Sequence, residues 1–390
     1  MDTYSKRVSE GASTTNVKCV LLRAIGEIGR QVALSSHAGL EKMIIAQFAG
    51  TESVRVSAAT ALGNIAVGAV DKYLSSIQSS LKSTKHIYLM LVAIKEILTN
   101  HGRSGFDVAP HLGQIVPLLF AHCNVGEESV RNVVSECLGH AAIVNPGMIL
   151  PTLAKKATPA SDNHTRIVAV SALRVCVSSS SVCGTLGPLL SAFLAGLSDK
   201  DPNIVEATLI SLNAIAHHQP ALLSSSFSAD ATLGVWPVLL DHLQIKKELK
   251  HVIDLGPFKK KIDDGLPLRK AAFMCLNTMV NTMPDNVAVS GVLVHVPSAL
   301  ADKDEIKMLC HQLLVKLIQK FPTEIIRALD AILLPLRAKL SSVKKESGTV
   351  GSFLRLVKEL ETLDVHQRPS YQQLIATAQA KGLIAGTATS

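Results

Sequence analysis

A short apolar helix, opened in most copies by a basic residue, recurs along this chain at a nearly regular interval. That recurrence constrains the fold more than any other feature. Lys18 sits in VKCVLLRAIGEIG, Arg55 in VRVSAATALGNIAVG, Arg131 in VRNVVSECLGHAAI and Arg166 in TRIVAVSALRVC. Val205 takes the place in IVEATLISLNAIAHH, Arg269 in LRKAAFMCLNTMV and Lys307 in IKMLCHQLLVKLI, with a weaker copy from Ile87. Successive anchors lie 32 to 44 residues apart with one exception: 64 residues separate Val205 from Arg269. Within a copy, Val56, Ala59, Leu62, Gly63 and Ala66 recur with the spacing of one helix face. A unit of this length holds two helices, neither of which buries its apolar face without a neighbouring unit.

The second helix of each pair is expected between anchors, for example over residues 40–48, 111–121, 186–196, 235–243 and 325–340. Turn-forming clusters separate the pairs. In Ser198-Asp199-Lys200-Asp201-Pro202-Asn203, Asp201 or Asn203 is the expected cap of the next helix. Gly63 and Gly139 fall mid-helix, where glycine costs about 1 kcal/mol against alanine; a close approach of two helices would offset that. Aromatic residues make up only 4% of the chain, which suits helices packed through small side chains better than a β-sandwich. The expected fold is all-α, a HEAT-repeat solenoid of roughly eight to nine helical pairs with one inserted β-hairpin. Residues 1–15 are expected to be disordered and 16–245 to carry repeats. The hairpin is expected over 246–265, further repeats over 266–343, two last helices over 344–381, and a disordered tail over 382–390.

The long gap coincides with KKELKHVIDLGPFKKKIDDGLPLRK, residues 246–270. Proline cannot sit inside a helix without losing a hydrogen bond one turn back. With Gly256-Pro257 as a two-residue turn, Leu255 faces Phe258, Ile253 faces Lys260 and His251 faces Ile262. In the same register Asp254 faces Lys259, Val252 faces Lys261 and Lys250 faces Asp263. Two of these pairs join opposite charges, each worth roughly 0.2–1 kcal/mol. Glycine at the first central position suits a type II′ turn. The stretch holds eight basic and four acidic residues, and its surplus is half the chain's net +8. Such a hairpin is marginal alone. It is either an ornament on its own helices or an arm that enters a partner. Asp263-Asp264 is expected to close the hairpin and cap the helix that follows.

Other chemistry is sparse. The seven cysteines are scattered, with no CxxC, and fit small core residues in a reducing cytoplasmic or nuclear compartment. The first sixteen residues lack the apolar core of a signal peptide. The uncharged run 175–198 is broken by serines at 178–181 and by Gly184-Thr185-Leu186-Gly187-Pro188. It reads as a loop between two helices rather than a membrane span. No phosphate-binding loop, dinucleotide fingerprint, zinc-protease helix or nucleophile elbow occurs. The basic stretch offers Phe258 as its one aromatic, too little for base stacking. An interaction scaffold is therefore expected: no catalytic residue, cofactor or metal, and neither nucleic acid nor membrane as partner. His217-His218 and the Asp263-Asp264 pair are assigned electrostatic and capping roles.

Residues 247–273 resemble the C-terminal segment of the cullin-associated, neddylation-dissociated proteins. The resemblance rests on Lys247-Glu248-Leu249, Gly256-Pro257-Phe258-Lys259, Asp263-Asp264-Gly265 and Arg269-Lys270-Ala271-Ala272-Phe273. Weaker echoes include Ser57-Ala58-Ala59, Arg131-Asn132-Val133-Val134, Glu136-Cys137-Leu138-Gly139 and Pro335-Leu336-Arg337-Ala338. The resemblance implies a HEAT-repeat regulator that holds the N-terminal region of a cullin lacking its ubiquitin-like modifier. It also implies that the hairpin intrudes where substrate-receptor adaptors dock. The implied contact residues are Val252, Ile253, Asp254, Leu255, Gly256, Pro257, Phe258, Lys259, Lys260 and Lys261. Asp263, Asp264, Gly265, Arg269, Lys270 and Phe273 form the structural exit of the hairpin. Members of that family are much longer, so a separate N-terminal HEAT half is an implied partner. A general HEAT scaffold of the nuclear-transport or phosphatase type is the alternative.

Overall fold

The computed structural model describes residues 2–9, 14–82, 86–227, 230–232, 234–254, 256, 259–340 and 348–384. The chain divides into two compact units, residues 1–193 and 194–390.

In the first unit, α1 (Asp2–Ser9) precedes α2 (Thr15–Gln31) and α3 (Leu40–Ala46). Then come α4 (Glu52–Val67), α5 (Val70–Leu81), α6 (Ile87–Thr99), α7 (Leu112–Ala121), α8 (Glu128–Val144) and α9 (Pro146–Lys156). The broken helix α10 (Asn163–Ser171) and α11 (Leu173–Cys176) is followed by α12 (Cys183–Leu194). The helices that carry Lys18, Arg55, Ile87, Arg131 and Arg166 pack on one another in sequence, α2 on α4, α4 on α6, α6 on α8 and α8 on α10. Among the other helices, α3 packs on α4, α5 on α6, and α7 and α9 on α8. This is the paired-helix stack that the repeat predicts.

The mid-helix glycines mark close approaches between helices of the row. A Cβ on Gly63 would stand 2.5 Å from the Ala93 carbonyl oxygen, and one on Gly139 would stand 2.6 Å from that of Ala172. Around them Leu62, Ile65, Leu138 and Ala142 are fully buried; each large apolar side chain contributes about 1.5–3 kcal/mol.

Two expectations for this unit fail in part. Residues 2–9 form α1 rather than a disordered start, with Val8 fully buried as the anchor of the short helix. The helix expected over 186–196 is present, and the serines at 178–181 do separate two helices, but the expected loop does not reach residues 184–188. They lie inside α12, where burial of Leu186, Leu190 and Phe193 along one face overrides the local glycine and proline preferences. The helical stretch Ser180–Ser198 is long and apolar enough to cross a membrane by length and composition.

The second unit holds α13 (Pro202–His218) and α14 (Trp236–Asp241), then strands β1 (Lys250–Asp254) and β2 (Lys259–Asp263). It continues with α15 (Gly265–Thr282), α16 (Val289–Leu300), α17 (Asp304–Lys320), α18 (Pro322–Arg327), α19 (Leu329–Leu340), α20 (Gly348–Leu360) and α21 (Pro369–Ala380). Here α13, α15, α17 and α20 form the row, while α16, α19 and α21 pack in succession beside it. Asp201 caps α13 as expected, its Oδ1 accepting the Asn203 amide at 2.9 Å. The linker residues 341–347 and the tail residues 385–390 lie outside the described residues.

Three of the basic anchors make bonds close by in the sequence. Arg131 donates to the carbonyls of Val125 and Gly126 at 2.7 and 2.8 Å, and buried Arg166 reaches the Ala157 carbonyl. Lys307 pairs with Asp304 at 2.8 Å.

Candidate partner-binding site

The hairpin leaves the second unit between α14 and α15, and its approach is fixed by buried side chains. The Trp236 indole is fully buried, donates to the Asn286 carbonyl at 3.2 Å and meets Phe227 edge-on. At the end of α14 the His242 ring bonds to the Leu197 carbonyl at 2.7 Å, and burial pushes its pKa down. A short turn, Lys247–Leu249, then delivers the chain to β1.

The two strands pair antiparallel as Lys250↔Asp263, His251↔Ile262, Val252↔Lys261, Ile253↔Lys260 and Asp254↔Lys259. This is the register that follows from a two-residue Gly256-Pro257 turn. Gly256 has φ +83°, the left-handed backbone that glycine at that position permits. Asp254 turns its carboxylate back to accept the Gly256 amide at 3.0 Å. Of the two expected charge pairs, Lys250 and Asp263 stand 3.8 Å apart. Leu255, Pro257 and Phe258, expected at the tip, lie outside the described residues.

Every residue of β1 is exposed, and in β2 Lys259, Lys260 and Lys261 are exposed while Ile262 and Asp263 are half-buried. Val252 and Ile253 are 55% and 39% exposed. The strands do not lie on their own helices as an ornament would. They form an arm held at its root, with apolar Val252 and Ile253 on one strand and three consecutive lysines on the other.

The exit residues divide by role. Gly265 begins α15 and Phe273 is buried in the core one turn beyond Arg269. Lys270 makes an exposed pair with Glu305 at 3.2 Å. Asp264 occupies the cap position of α15 but makes no side-chain cap, because its carboxylate turns to His251 at 3.4 Å. The expected cap therefore does not come from Asp264; of the pair, it is the Asp263 carboxylate that interacts with the backbone of Gly265, the first residue of α15. Arg269 is 1% exposed and lies between two carboxylates. Its Nη1 and Nη2 donate to Asp263 at 3.2 and 2.8 Å, and its Nε and Nη2 donate to Asp302 at 2.6 and 3.2 Å. Those bonds from Arg269 hold the Asp263 carboxyl below its ordinary range. Asp302 was not marked by sequence reading, since no local motif links it to the hairpin.

A family model described as TATA-binding protein interacting (TIP20) matches residues 229–361, which take in the whole arm and its exit helix. The chain is 35% identical over 358 residues to cullin-associated NEDD8-dissociated protein 1 of Arabidopsis thaliana, covering 88% of this chain and 29% of that protein. It is 34% identical to the protein of the same name from Dictyostelium discoideum over 86% of its own length. It is 30% identical over 381 residues to "Cullin-associated NEDD8-dissociated protein 1, C-terminal part" of Emericella nidulans, covering 92% of this chain and 36% of that one. The chain thus spans about a third or less of the length of these curated relatives. Among solved structures, yeast importin-beta (Kap95p) aligns with a TM-score of 0.59 at 14% identity, covering 97% of this chain and 48% of that one; this likeness concerns the HEAT fold alone. With sequence similarity over most of its length, and with the segment that carries the arm inside the family-model match, the chain belongs to the cullin-associated NEDD8-dissociated family.

Proposed function

We propose that this chain binds the N-terminal region of a cullin that lacks its NEDD8 modifier. In this reading the arm competes there with substrate-receptor adaptors, so the chain acts as an assembly and exchange factor of cullin–RING ubiquitin ligases. The observation that carries the reading is the arm itself. It is a rooted hairpin, exposed on both strands, that offers Val252 and Ile253 beside Lys259, Lys260 and Lys261. Such an arm suits an apolar cleft with an acidic rim. Two ligands that weaken each other's hold on a cullin do so reciprocally, typically by about 5–150-fold. Work in the cytoplasm or nucleus agrees with seven cysteines that form no disulfide among the described residues.

A separate N-terminal HEAT half of the same regulator is the second proposed partner. Its seat is the outer face of α2, where Val17, Val20, Ile28 and Val32 are 39, 66, 37 and 58% exposed. The exposed residues of α21, by contrast, include Gln372 and Gln373. A repeat stack needs a polar outer face where it meets water. The Emericella nidulans relative, named as a C-terminal part, supports this occupant.

The test replaces residues 251–262 by a short glycine link, or Leu255, Pro257 and Phe258 by alanine. Cullin capture should persist while adaptor displacement falls. Unchanged displacement refutes the role of the arm. Failure to capture any unmodified cullin, with an N-terminal half supplied, refutes the whole reading.

A further inference from the structure

The arm touches its own unit at its root, yet a partner would meet it at its far end. Five residues per strand make a lever of about 17 Å, so a rotation of about 10° at the root moves the tip by about 3 Å. Something must hold that root, because a two-stranded hairpin does not hold itself. Arg269 supplies a buried connection there. Asp263 is the last residue of β2, Arg269 lies on α15, and Asp302 lies in the turn between α16 and α17. Asp302 is itself held in place, since its carboxylate also accepts the Lys303 amide at 2.7 Å. The guanidinium is clasped by both carboxylates in a two-point manner, with four hydrogen bonds between 2.6 and 3.2 Å. The Asp263 and Asp302 side chains are only 13% and 6% exposed. Paired, planar contacts of this kind fix an angle as well as a distance. On the outer side of the root, the Asp264 amide donates to the Leu249 carbonyl at 2.9 Å and closes the ladder.

We propose that Asp302, acting through Arg269 on Asp263, is a positioning residue that sets the angle of the arm. The orientation of the arm is then dictated by the repeat that follows it, and not by the strands. Its consequence for partners rests on the function proposed above; its consequence for the order of the arm does not.

Removing one carboxylate would leave a buried charge half-paired and risks unfolding. Two variants are therefore compared: Asp302→Asn, and the combined Asp263→Asn, Arg269→Met and Asp302→Asn, which fills the same space without charge. Amide hydrogen exchange over residues 250–263 and tryptic cleavage after Lys259, Lys260 and Lys261 report the arm. Exchange in α15 and α17 reports the fold. In the combined variant the arm should exchange and be cleaved at least about tenfold faster while α15 and α17 keep their protection. Adaptor displacement should fall as well, and the same substitutions should change nothing in a chain whose residues 251–262 are already a glycine link. Unchanged protection of the arm in a folded combined variant overturns the clamp. Lost protection with full displacement confirms the clamp and overturns the proposed use of the arm.

Discussion

Gly139 tests whether the helix row is as tight as it looks. On a solvent-facing helix, glycine to alanine gains about 1 kcal/mol. At Gly139 the new Cβ would stand 2.6 Å from the Ala172 carbonyl oxygen and 2.6 Å from the Val175 Cβ. Ordinary contact lies near 3.5 Å, so α8 and the broken helix α10–α11 must part by about 1 Å. The obstacle is backbone, which cannot rotate away, and overpacking of this kind costs about 1–3 kcal/mol. Taking the upper end of that cost against the propensity gain, Gly139→Ala should lose about 2 kcal/mol. For a unit of this size that lowers the Tm by about 4–8 °C. Gly351 in α20 is the control, since an added Cβ there meets nothing within 4 Å. Gly351→Ala should gain up to about 1 kcal/mol. Calorimetry of both variants reads the two signs, with hydrogen exchange assigning each change to its unit. A rise in Tm for Gly139→Ala would refute the close approach.

His311 is buried and bonded to the Ser352 hydroxyl at 2.9 Å, and burial lowers its pKa to about 4. The unfolded chain therefore takes up the proton first. Stability is full above about pH 6.5 and falls by about 3 kcal/mol as pH drops to 4; urea titrations should show this, and His311→Leu should flatten the curve. Burial pushes the thiols of Cys123, Cys176, Cys275 and Cys310 up to about 12. A thiol reagent on the native protein should label Cys19 and Cys183, which are partly exposed, well before those four. Phe273→Ala empties a fully enclosed site beside Arg269 and should cost about 3–5 kcal/mol, read as a lower denaturation midpoint. Lys259→Glu with Lys260→Glu and Lys261→Glu should abolish the salt-sensitive part of partner binding while leaving the Tm near that of the parent; binding that keeps the same salt dependence would show that the arm is not read by charge.

The repeat was legible because burial imposes a period on α4, α8 and α15 that composition alone does not. The hairpin register was legible because a two-residue turn leaves the strands one alignment that joins Lys250 to Asp263. What escaped depends on distance along the chain or on backbone angles. Asp302 meets Arg269 across 33 residues, so no window of sequence connects them. Asp264 follows the local rule for a helix cap, yet its own backbone is helical there, and its carboxylate finds His251 instead. In α12 the glycines and Pro188 argued for a loop reaching residue 188, but three large side chains on one face let the helix begin at Cys183. At the start of the chain, where disorder was expected, Val8 is buried against the neighbouring helices.

A two-stranded ribbon has two open edges, each a row of unpaired amides and carbonyls that another strand could join. Longer sheets protect such edges by closure or by covering them, and the arm does neither. Its protection is electrostatic. Lys250 on one edge and Lys259, Lys260 and Lys261 on the other stand in water, so two arms that approach each other bring like charges together. The lysines thereby favour an acidic partner over a second copy of the same chain, and they let an exposed, partly apolar hairpin persist on a soluble surface without nucleating aggregates.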